Sequence, residues 1–198
     1  MATWLVVGLG NPGPTYAHNR HNIGAMVAHE LAQRGSASFK SRRIQRAETA
    51  EVRLGPAGIG IPSPEADQLI VATTRTYMNL SGVPVRNLME KRIRPDHVIV
   101  IHDELDIDLG QLRIKFGGGD NGHNGLRSIR SHVGTGDYFR VRVGIGRPAV
   151  RMEVTDWVLT NFRTNERDEV IRMVDLAADA VESLVTSGLE KTQARYNS

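Results

Sequence analysis

A histidine and an aspartate, His21 and Asp103, carry the side chains best suited to acid–base chemistry in this sequence. Each lies in a segment that follows an apolar run typical of a buried strand, so both are expected in loops beyond strand ends. A carboxylate that binds one imidazole nitrogen fixes the tautomer and leaves the other nitrogen free to act as a base. A second interpretation is equally open, in which His21 caps a helix and Asp103 caps a turn.

The sequence favours water over a side chain as the nucleophile for such a pair. It contains no cysteine, which excludes thiol nucleophiles, disulfides and thiolate metal sites. It also lacks a G-x-S-x-G motif, the turn that presents a serine nucleophile in many hydrolases. A base that activates water is therefore the simplest catalytic hypothesis.

Three asparagines, Asn11, Asn79 and Asn124, lie in further segments that follow predicted strands. A carboxamide offers two donors and an acceptor without a charge. Together the three could bind a peptide backbone or donate to an oxyanion. Turn formation explains any one of them alone.

The remaining motifs support neither a nucleotide site nor a metal site strongly. Residues 8–13 and 117–122 both match G-x-G-x-x-G, but no helix directly follows the first, and His123-Asn124 stands where a phosphate-binding loop has Lys-Ser/Thr. Tight backbone turns explain both glycine runs. The acidic segment 102–108 could bind a cation, because hard cations prefer carboxylates. A solvated loop is the simpler interpretation, and we expect no metal and no cofactor.

Alternating strands and helices must position these segments. Strands are predicted over residues 4–9, 50–54, 68–73, 97–102, 112–114 and 138–145. Helices are predicted over residues 23–34, 81–92, 126–133 and 165–185. This alternation predicts a mainly parallel sheet between helical layers, with ligands bound beyond the carboxyl ends of the strands. The segments 10–22, 74–80, 102–108 and 117–125 all follow predicted strands, so we expect them to meet at one edge.

Length and composition indicate one soluble domain spanning residues 1–198. Hydrophobic residues make up 40% of the chain and charged residues 24%, which is ordinary for a globular protein. The apolar run 98–101 is far too short to cross a bilayer and no secretory signal is visible, so we expect a cytoplasmic protein. The 25 basic and 22 acidic residues give a net charge of +3, a weak indication of an anionic partner.

A series of motifs, in order along nearly the whole chain, resembles the bacterial peptidyl-tRNA hydrolase family. The motifs are Val7-Gly8-Leu9-Gly10-Asn11-Pro12-Gly13, Tyr16 with Arg20-His21-Asn22, Tyr77-Met78-Asn79-Leu80-Ser81-Gly82, His102-Asp103-Glu104-Leu105-Asp106, Gly117-Gly118-Gly119 with Gly122-His123-Asn124-Gly125-Leu126, and Arg142-Val143-Gly144-Ile145-Gly146. Together they are far more specific than either glycine pattern alone. The chain departs from the family pattern at Asn19, Thr73-Thr74 and Asp120-Asn121, and none of these is a catalytic group.

The resemblance implies a fold and an activity. The fold is a three-layer α/β/α sandwich with a mixed, mainly parallel central sheet, in a monomer that acts without a metal. The activity is hydrolysis of the ester that joins a peptide to the 3′-terminal adenosine of tRNA. This reaction frees tRNA from peptidyl-tRNA that left the ribosome prematurely.

The resemblance also implies roles for individual residues. His21 matches the family's catalytic base, and Asp103 matches the residue that orients it. Asn11 matches the residue that distinguishes peptidyl-tRNA from aminoacyl-tRNA. The other matched positions would all contact the substrate or its tRNA. They are the amides Asn79 and Asn124, the aromatic residues Tyr16 and Tyr77 near them, His123 beside Asn124, and the cations Lys115 and Arg142, which would hold a phosphate of the tRNA end.

A non-enzymatic function is the alternative, because some organellar splicing factors are similar in fold and bind RNA without needing hydrolase activity. The presence of His21, Asp103 and all three asparagines favours the enzyme, since fold alone does not decide function. A metal-dependent hydrolase that uses the acidic segment 102–108 is a third possibility.

Overall fold

One mixed sheet forms the centre of the molecule in the computed structural model, which describes residues 1–90 and 92–197. Its strands are β1 (Thr3–Gly8), β2 (Lys40–Arg42), β3 (Ala47–Gly55), β4 (Gly58–Ile59), β5 (Asp67–Thr74), β6 (Val98–Glu104), β7 (Leu112–Phe116) and β8 (Phe139–Gly144). The helices are α1 (Ile23–Arg34), α2 (Gly82–Met89), α3 (Asn124–Val133), α4 (Val154–Val158), α5 (Arg167–Ser187) and α6 (Leu189–Tyr196). The strand order is β2-β3-β5-β1-β6-β8-β7, with β4 paired to β3.

The predicted three-layer α/β/α sandwich is confirmed. Strands β5, β1, β6 and β8 pair in parallel at the centre, whereas β3 and β7 run antiparallel to their inner neighbours. Helices α1, α5 and α6 cover one face, and α2 and α3 cover the other. Alternate residues of the central strands, such as Val6 and Val7, enter opposite cores, and each fully buried aliphatic side chain contributes about 1.5–3 kcal/mol.

A close approach between α1 and the sheet sets the position of the residues just before that helix. A Cβ atom on Gly24 would lie 2.2 Å from the carbonyl oxygen of Ile101, so only glycine permits this contact. The 3-10 turn Arg20–Asn22 leads directly into α1. His21 is therefore carried to the carboxyl end of β6.

Two expectations about the edge of the sheet are wrong. Strand β6 continues through Glu104 because β8 pairs beside it, with Asp103 opposite Val143, so Asp103 lies on a strand rather than in a loop. Strand β7 is antiparallel to β8, so residues 117–125 begin at the end of the sheet opposite to the carboxyl ends of β1, β5 and β6. That loop reaches the site only at its far end, where His123 precedes α3.

Several element boundaries also differ from those predicted. The helix predicted over residues 81–92 ends at Met89, because Glu90 adopts a left-handed φ of 45°. Strands β2 and β4 and helices α4 and α6 carry too few buried residues to give a clear pattern and were not predicted. Within residues 1–90 and 92–197, no helix is long and apolar enough to cross a membrane.

Candidate active site

The carboxylate of Asp103 binds His21 at the carboxyl end of β6. Both side chains are buried, with Asp103 3% exposed and His21 9% exposed. His21 Nδ1 lies 2.9 Å from each carboxylate oxygen of Asp103. An ionised carboxylate can only accept, so Nδ1 donates and Nε2 of the neutral ring carries no proton. No residue in the described part of the chain bonds to that Nε2 atom.

His123 provides a second hydrogen bond to Asp103. Its Nε2 atom lies 2.8 Å from Asp103 Oδ1. Its Nδ1 atom accepts the backbone N–H groups of Gly125 and Leu126, at 3.1 and 3.3 Å, and so caps helix α3. A Cβ atom on Gly125 would lie 2.7 Å from Met78 Sδ, so glycine allows this crowded packing. The resemblance implies a substrate contact for His123, yet both ring nitrogens bond within the protein.

Burial and charge act in opposite directions on the pKa values of this cluster. Burial alone lowers the pKa of His21, but the charge of Asp103 and the hydrogen bond to it raise the pKa above its ordinary value of 6.5. Burial raises the pKa of Asp103, but the two histidines hold it well below its usual range, so the carboxylate stays ionised. Complete burial, followed by the effect of His123, lowers the pKa of His102 to about 3.

The cluster opens into a small cleft of about 80 Å³, which has room for water. His21, Asp103, His123 and Asn124 line one side. Val154, Thr155 and Val158 of α4, the helix that the sequence did not predict, also line it. The cleft therefore has room for a water molecule beside His21.

Hydrogen bonds determine which end of the Asn11 side chain is available to a ligand. Its Oδ1 atom accepts the backbone N–H of Met78 at 2.7 Å, and its backbone is bonded in both directions to the side chain of Asn22 at 2.9 Å. Because a backbone N–H can only donate, the oxygen must face Met78 and the Nδ2 group must face away. Thr74, one of the departures from the family pattern, supports this segment by donating to the carbonyl of Gly10 at 3.1 Å.

The other predicted contact residues lie on the segments around this edge. Asn79 is exposed in the 3-10 turn Met78–Leu80, directly after the residue that binds Asn11, and Asn124 is the exposed first residue of α3. Tyr16 and Tyr77 meet edge to face with ring centroids 6.2 Å apart. The structure thus brings aromatic and amide side chains to the edge that carries His21.

Comparison with known proteins decides the family. A sequence model described as peptidyl-tRNA hydrolase matches residues 5–198. The chain belongs to the peptidyl-tRNA hydrolase family. Peptidyl-tRNA hydrolases from Cutibacterium acnes and Streptomyces coelicolor are 51% and 52% identical to it, across 99% and 100% of this chain and 98% and 96% of theirs. The crystal structure of peptidyl-tRNA hydrolase from Acinetobacter baumannii has a TM-score of 0.83 at 33% identity, covering 98% of this chain and 93% of that one.

Lys115 and Arg142, the two cations expected from the peptidyl-tRNA hydrolase resemblance to bind a tRNA phosphate, lie on one face of the β7–β8 ladder. Arg142 pairs with Arg113 in register, and Lys115 pairs with Arg140. Arg142 is held by Glu104, with Nη2 3.2 Å from Oε2, and its side chain is only 23% exposed. Arg113 is exposed on the same face, two residues before Lys115.

In this member of the peptidyl-tRNA hydrolase family, two carboxylates of the acidic segment bond to side chains of the same chain. Glu104 accepts from Arg142 and from Asn121 Nδ2, the latter at 3.0 Å. Asp106 accepts from Arg147 at 2.8 Å and from Asn121 at 3.0 Å. The glycine-rich loop is thereby tied to the segment after β6, and these two carboxylates serve as hydrogen-bond acceptors.

His21, Asp103 and His123 are side chains of types that bind metals, and their nitrogen and oxygen atoms all lie within 4.8 Å of one another. Each nitrogen that faces the carboxylate is 2.8–2.9 Å from an oxygen of it. Adjacent ligands of a tetrahedral zinc ion are about 3.3 Å apart, since each bond is about 2.0 Å long. The observed spacing therefore fits hydrogen bonds better than shared coordination of an ion.

Proposed function

We propose that this chain hydrolyses the ester bond of peptidyl-tRNA with a water molecule activated by His21, and that it needs no metal. The observation that carries the proposal is the buried bond from His21 Nδ1 to Asp103, which leaves Nε2 without a partner in the described part of the chain, on a residue that lines a cleft with room for water. Family membership supports the substrate class. The acceptor end of the tRNA and its 3′-terminal adenosine are the parts that would enter the site.

The proposed reaction has two proton transfers through the same nitrogen. Nε2 of His21 takes a proton from water as the oxygen attacks the ester carbonyl carbon, and Asp103 stabilises the resulting imidazolium. Collapse of the tetrahedral intermediate breaks the bond to the 3′ oxygen of the adenosine, which receives the proton from His21. The products are free tRNA with its hydroxyl restored and a peptide with a carboxylate. In this proposal Asn79 and Asn124 donate to the substrate or to the oxyanion.

The orientation of Asn11 suggests how a peptidyl group would be selected. With Oδ1 committed to Met78, the free end of Asn11 presents only N–H donors. A peptide carbonyl oxygen can accept from such donors, whereas the free α-ammonium of an aminoacyl-tRNA is itself a donor and leaves them unpaired. A site built for one hydrogen-bonding pattern rejects a group that cannot complete it.

A paired hydrolysis assay tests the proposal. The purified protein should release tRNA from N-acetyl-aminoacyl-tRNA and spare the unblocked ester. His21→Ala should abolish release while tRNA binding and folding remain, because only the base is lost.

In the wild type, kcat/KM should fall on the acid side with a midpoint above 6.5, since the pKa of His21 is raised. Binding of tRNA without turnover would instead support the RNA-binding alternative, and full turnover by His21→Ala would disprove the mechanism.

A further inference from the structure

Both ring nitrogens of His123 are hydrogen-bonded to other groups of the protein. Its side chain is 9% exposed. One nitrogen bonds Asp103 at 2.8 Å, and the other receives two backbone N–H groups at the start of α3. Little of the ring is left for the substrate contact implied by its motif, so the residue needs another explanation.

Helix α3 determines which nitrogen of His123 carries the proton. Backbone N–H groups only donate, so Nδ1 must be the unprotonated nitrogen that receives them. The proton of the neutral ring then lies on Nε2, which points at Asp103 Oδ1. A proton on Nδ1 would remove the helix cap, and a ring protonated on both nitrogens would also place a positive charge at the positive end of the helix dipole. The helix start therefore favours the neutral Nε2–H form.

A third histidine packs beside this arrangement without competing for Asp103. The ring of His102 lies 5.0 Å from that of His123, edge to face. Its Nδ1 atom is 2.8 Å from the backbone carbonyl of Asp103, which can only accept, so the proton of His102 is on Nδ1. The carboxylate oxygens of Asp103 thus receive N–H donors from His21 and His123.

We propose that His123 is a positioning residue for the hydrolysis, a neutral donor with its tautomer fixed by α3, which holds the Asp103 carboxylate in place for His21 and shares its charge. This inference rests on the proposed function of His21 as the base. It differs from the role implied by the family motif, because His123 acts through Asp103 and not through the substrate.

Sharing one carboxylate has a consequence for the strength of the base. Both histidines contact Oδ1 of Asp103, so the donor from His123 reduces the negative charge that His21 experiences. Without that donor, the imidazolium form of His21 is favoured more strongly and the base is protonated at a higher pH. The other carboxylate that lines the cleft, Glu104, is paired with Arg142 and Asn121. Helix α4 contributes three side chains that do not titrate, Val154, Thr155 and Val158. The expected change in the pKa of His21 is therefore assigned to the donor from His123.

Two substitutions of His123 separate its role as the cap of α3 from its role as a hydrogen-bond donor to Asp103. His123→Asn keeps an oxygen close to the position of Nδ1, so α3 stays capped, but it lacks a group that reaches Asp103. His123→Gln extends far enough to donate to Asp103 and gives up the short capping geometry. We expect His123→Asn to unfold near the wild-type temperature, to lose roughly tenfold in kcat with little change in KM, and to shift the acid limb of kcat/KM to higher pH. We expect His123→Gln to be less stable and closer to the wild type in kcat and in pH profile.

Nitrogen NMR of the histidine rings tests the same proposal independently of turnover. In the wild type, His123 should show an unprotonated Nδ1 and a protonated Nε2 at neutral pH. In His123→Asn, the titration midpoint of His21 should rise. A protonated Nδ1 on His123, or an unchanged His21 midpoint, would overturn the proposal.

The possible outcomes distinguish this inference from the proposed function. If the wild type fails to hydrolyse blocked aminoacyl-tRNA, the proposed function is wrong whatever the NMR spectrum shows. If the wild type is active and the two variants lose kcat only in proportion to their loss of stability, His123 is purely structural. A normal pH profile in His123→Asn would lead to the same conclusion.

Discussion

At the scale of single residues, the proposed selectivity depends on which atom each amide presents to the substrate. Asn11 is the clearest case, because the backbone of Met78 fixes its oxygen and leaves its N–H donors for a ligand. Asn79 and Asn124 are exposed, so their amides can turn to meet a substrate. Selection between blocked and unblocked esters is therefore expected to depend on Asn11 more than on the other two.

Asn11→Asp tests this expectation. One carboxylate oxygen can still accept from Met78, but the other replaces the donors with a negative acceptor, which attracts an α-ammonium. We expect the ratio of hydrolysis rates for blocked and unblocked aminoacyl-tRNA to fall, together with the rate on the blocked ester. Asn79→Asp is the matched control, with the same change of charge on the neighbouring turn. A ratio that changes only in the control would assign selectivity to Asn79.

At the scale of elements, the direction of β7 places Lys115 away from Asp103 along the sheet. Leu112 is level with Val143 and thus with Asp103, and Lys115 lies three residues further along the strand. At about 3.3 Å per residue, this is roughly 10 Å along the sheet. A contact made there would reach the tRNA beyond its terminal adenosine.

Lys115→Ala should therefore weaken binding of the tRNA and leave the chemistry intact. We expect KM for full-length peptidyl-tRNA to rise with little change in kcat, and the slope of log affinity against log salt to decrease by about one unit. A blocked aminoacyl ester of a short CCA fragment should be cleaved as by the wild type. Lys40→Ala is the control. Lys40 is exposed on β2, the outermost strand on the side of the sheet away from β7. Equal losses on both substrates would show that Lys115 acts in folding or catalysis.

At the scale of the whole molecule, Arg20, the residue directly before His21, is bonded to the C-terminal part of the chain. It is 1% exposed, binds both carboxylate oxygens of Glu166 at 3.1 and 2.9 Å, and donates to Thr160 Oγ1 at 3.0 Å. Its guanidinium lies 3.9 Å from the centroid of a Trp157 ring. The position of His21 thus depends on residues more than 130 positions away.

Arg20→Ala should lower both stability and activity. Arg20 is buried and Glu166 is partly exposed, so the loss should be at most about 3 kcal/mol, which denaturant unfolding would measure. The specific activity of the folded fraction should also fall, because the turn that carries His21 loses its anchor. Arg34→Ala is the control, since Arg34 also bonds the C-terminal helix α5, through Asp179 and Glu182, but lies at the far end of α1. Equal specific activities in the two variants would argue against a positional role for Arg20.

The sequence by itself determined the types of the main elements, the sandwich and the set of polar residues to compare. Apolar periodicity specifies strands and helices locally, and parallel crossovers send the ends of β1, β5 and β6 to the same end of the sheet, so the meeting of His21 and Asp103 was predictable. Only the tertiary structure decided the antiparallel course of β7, the extension of β6 through Asp103, the bond from His123 to Asp103 and the anchoring of Arg20. Each depends on a partner elsewhere in the chain, at a separation of 20 residues for His123 and Asp103 and 146 for Arg20 and Glu166, and no local pattern encodes such a pairing.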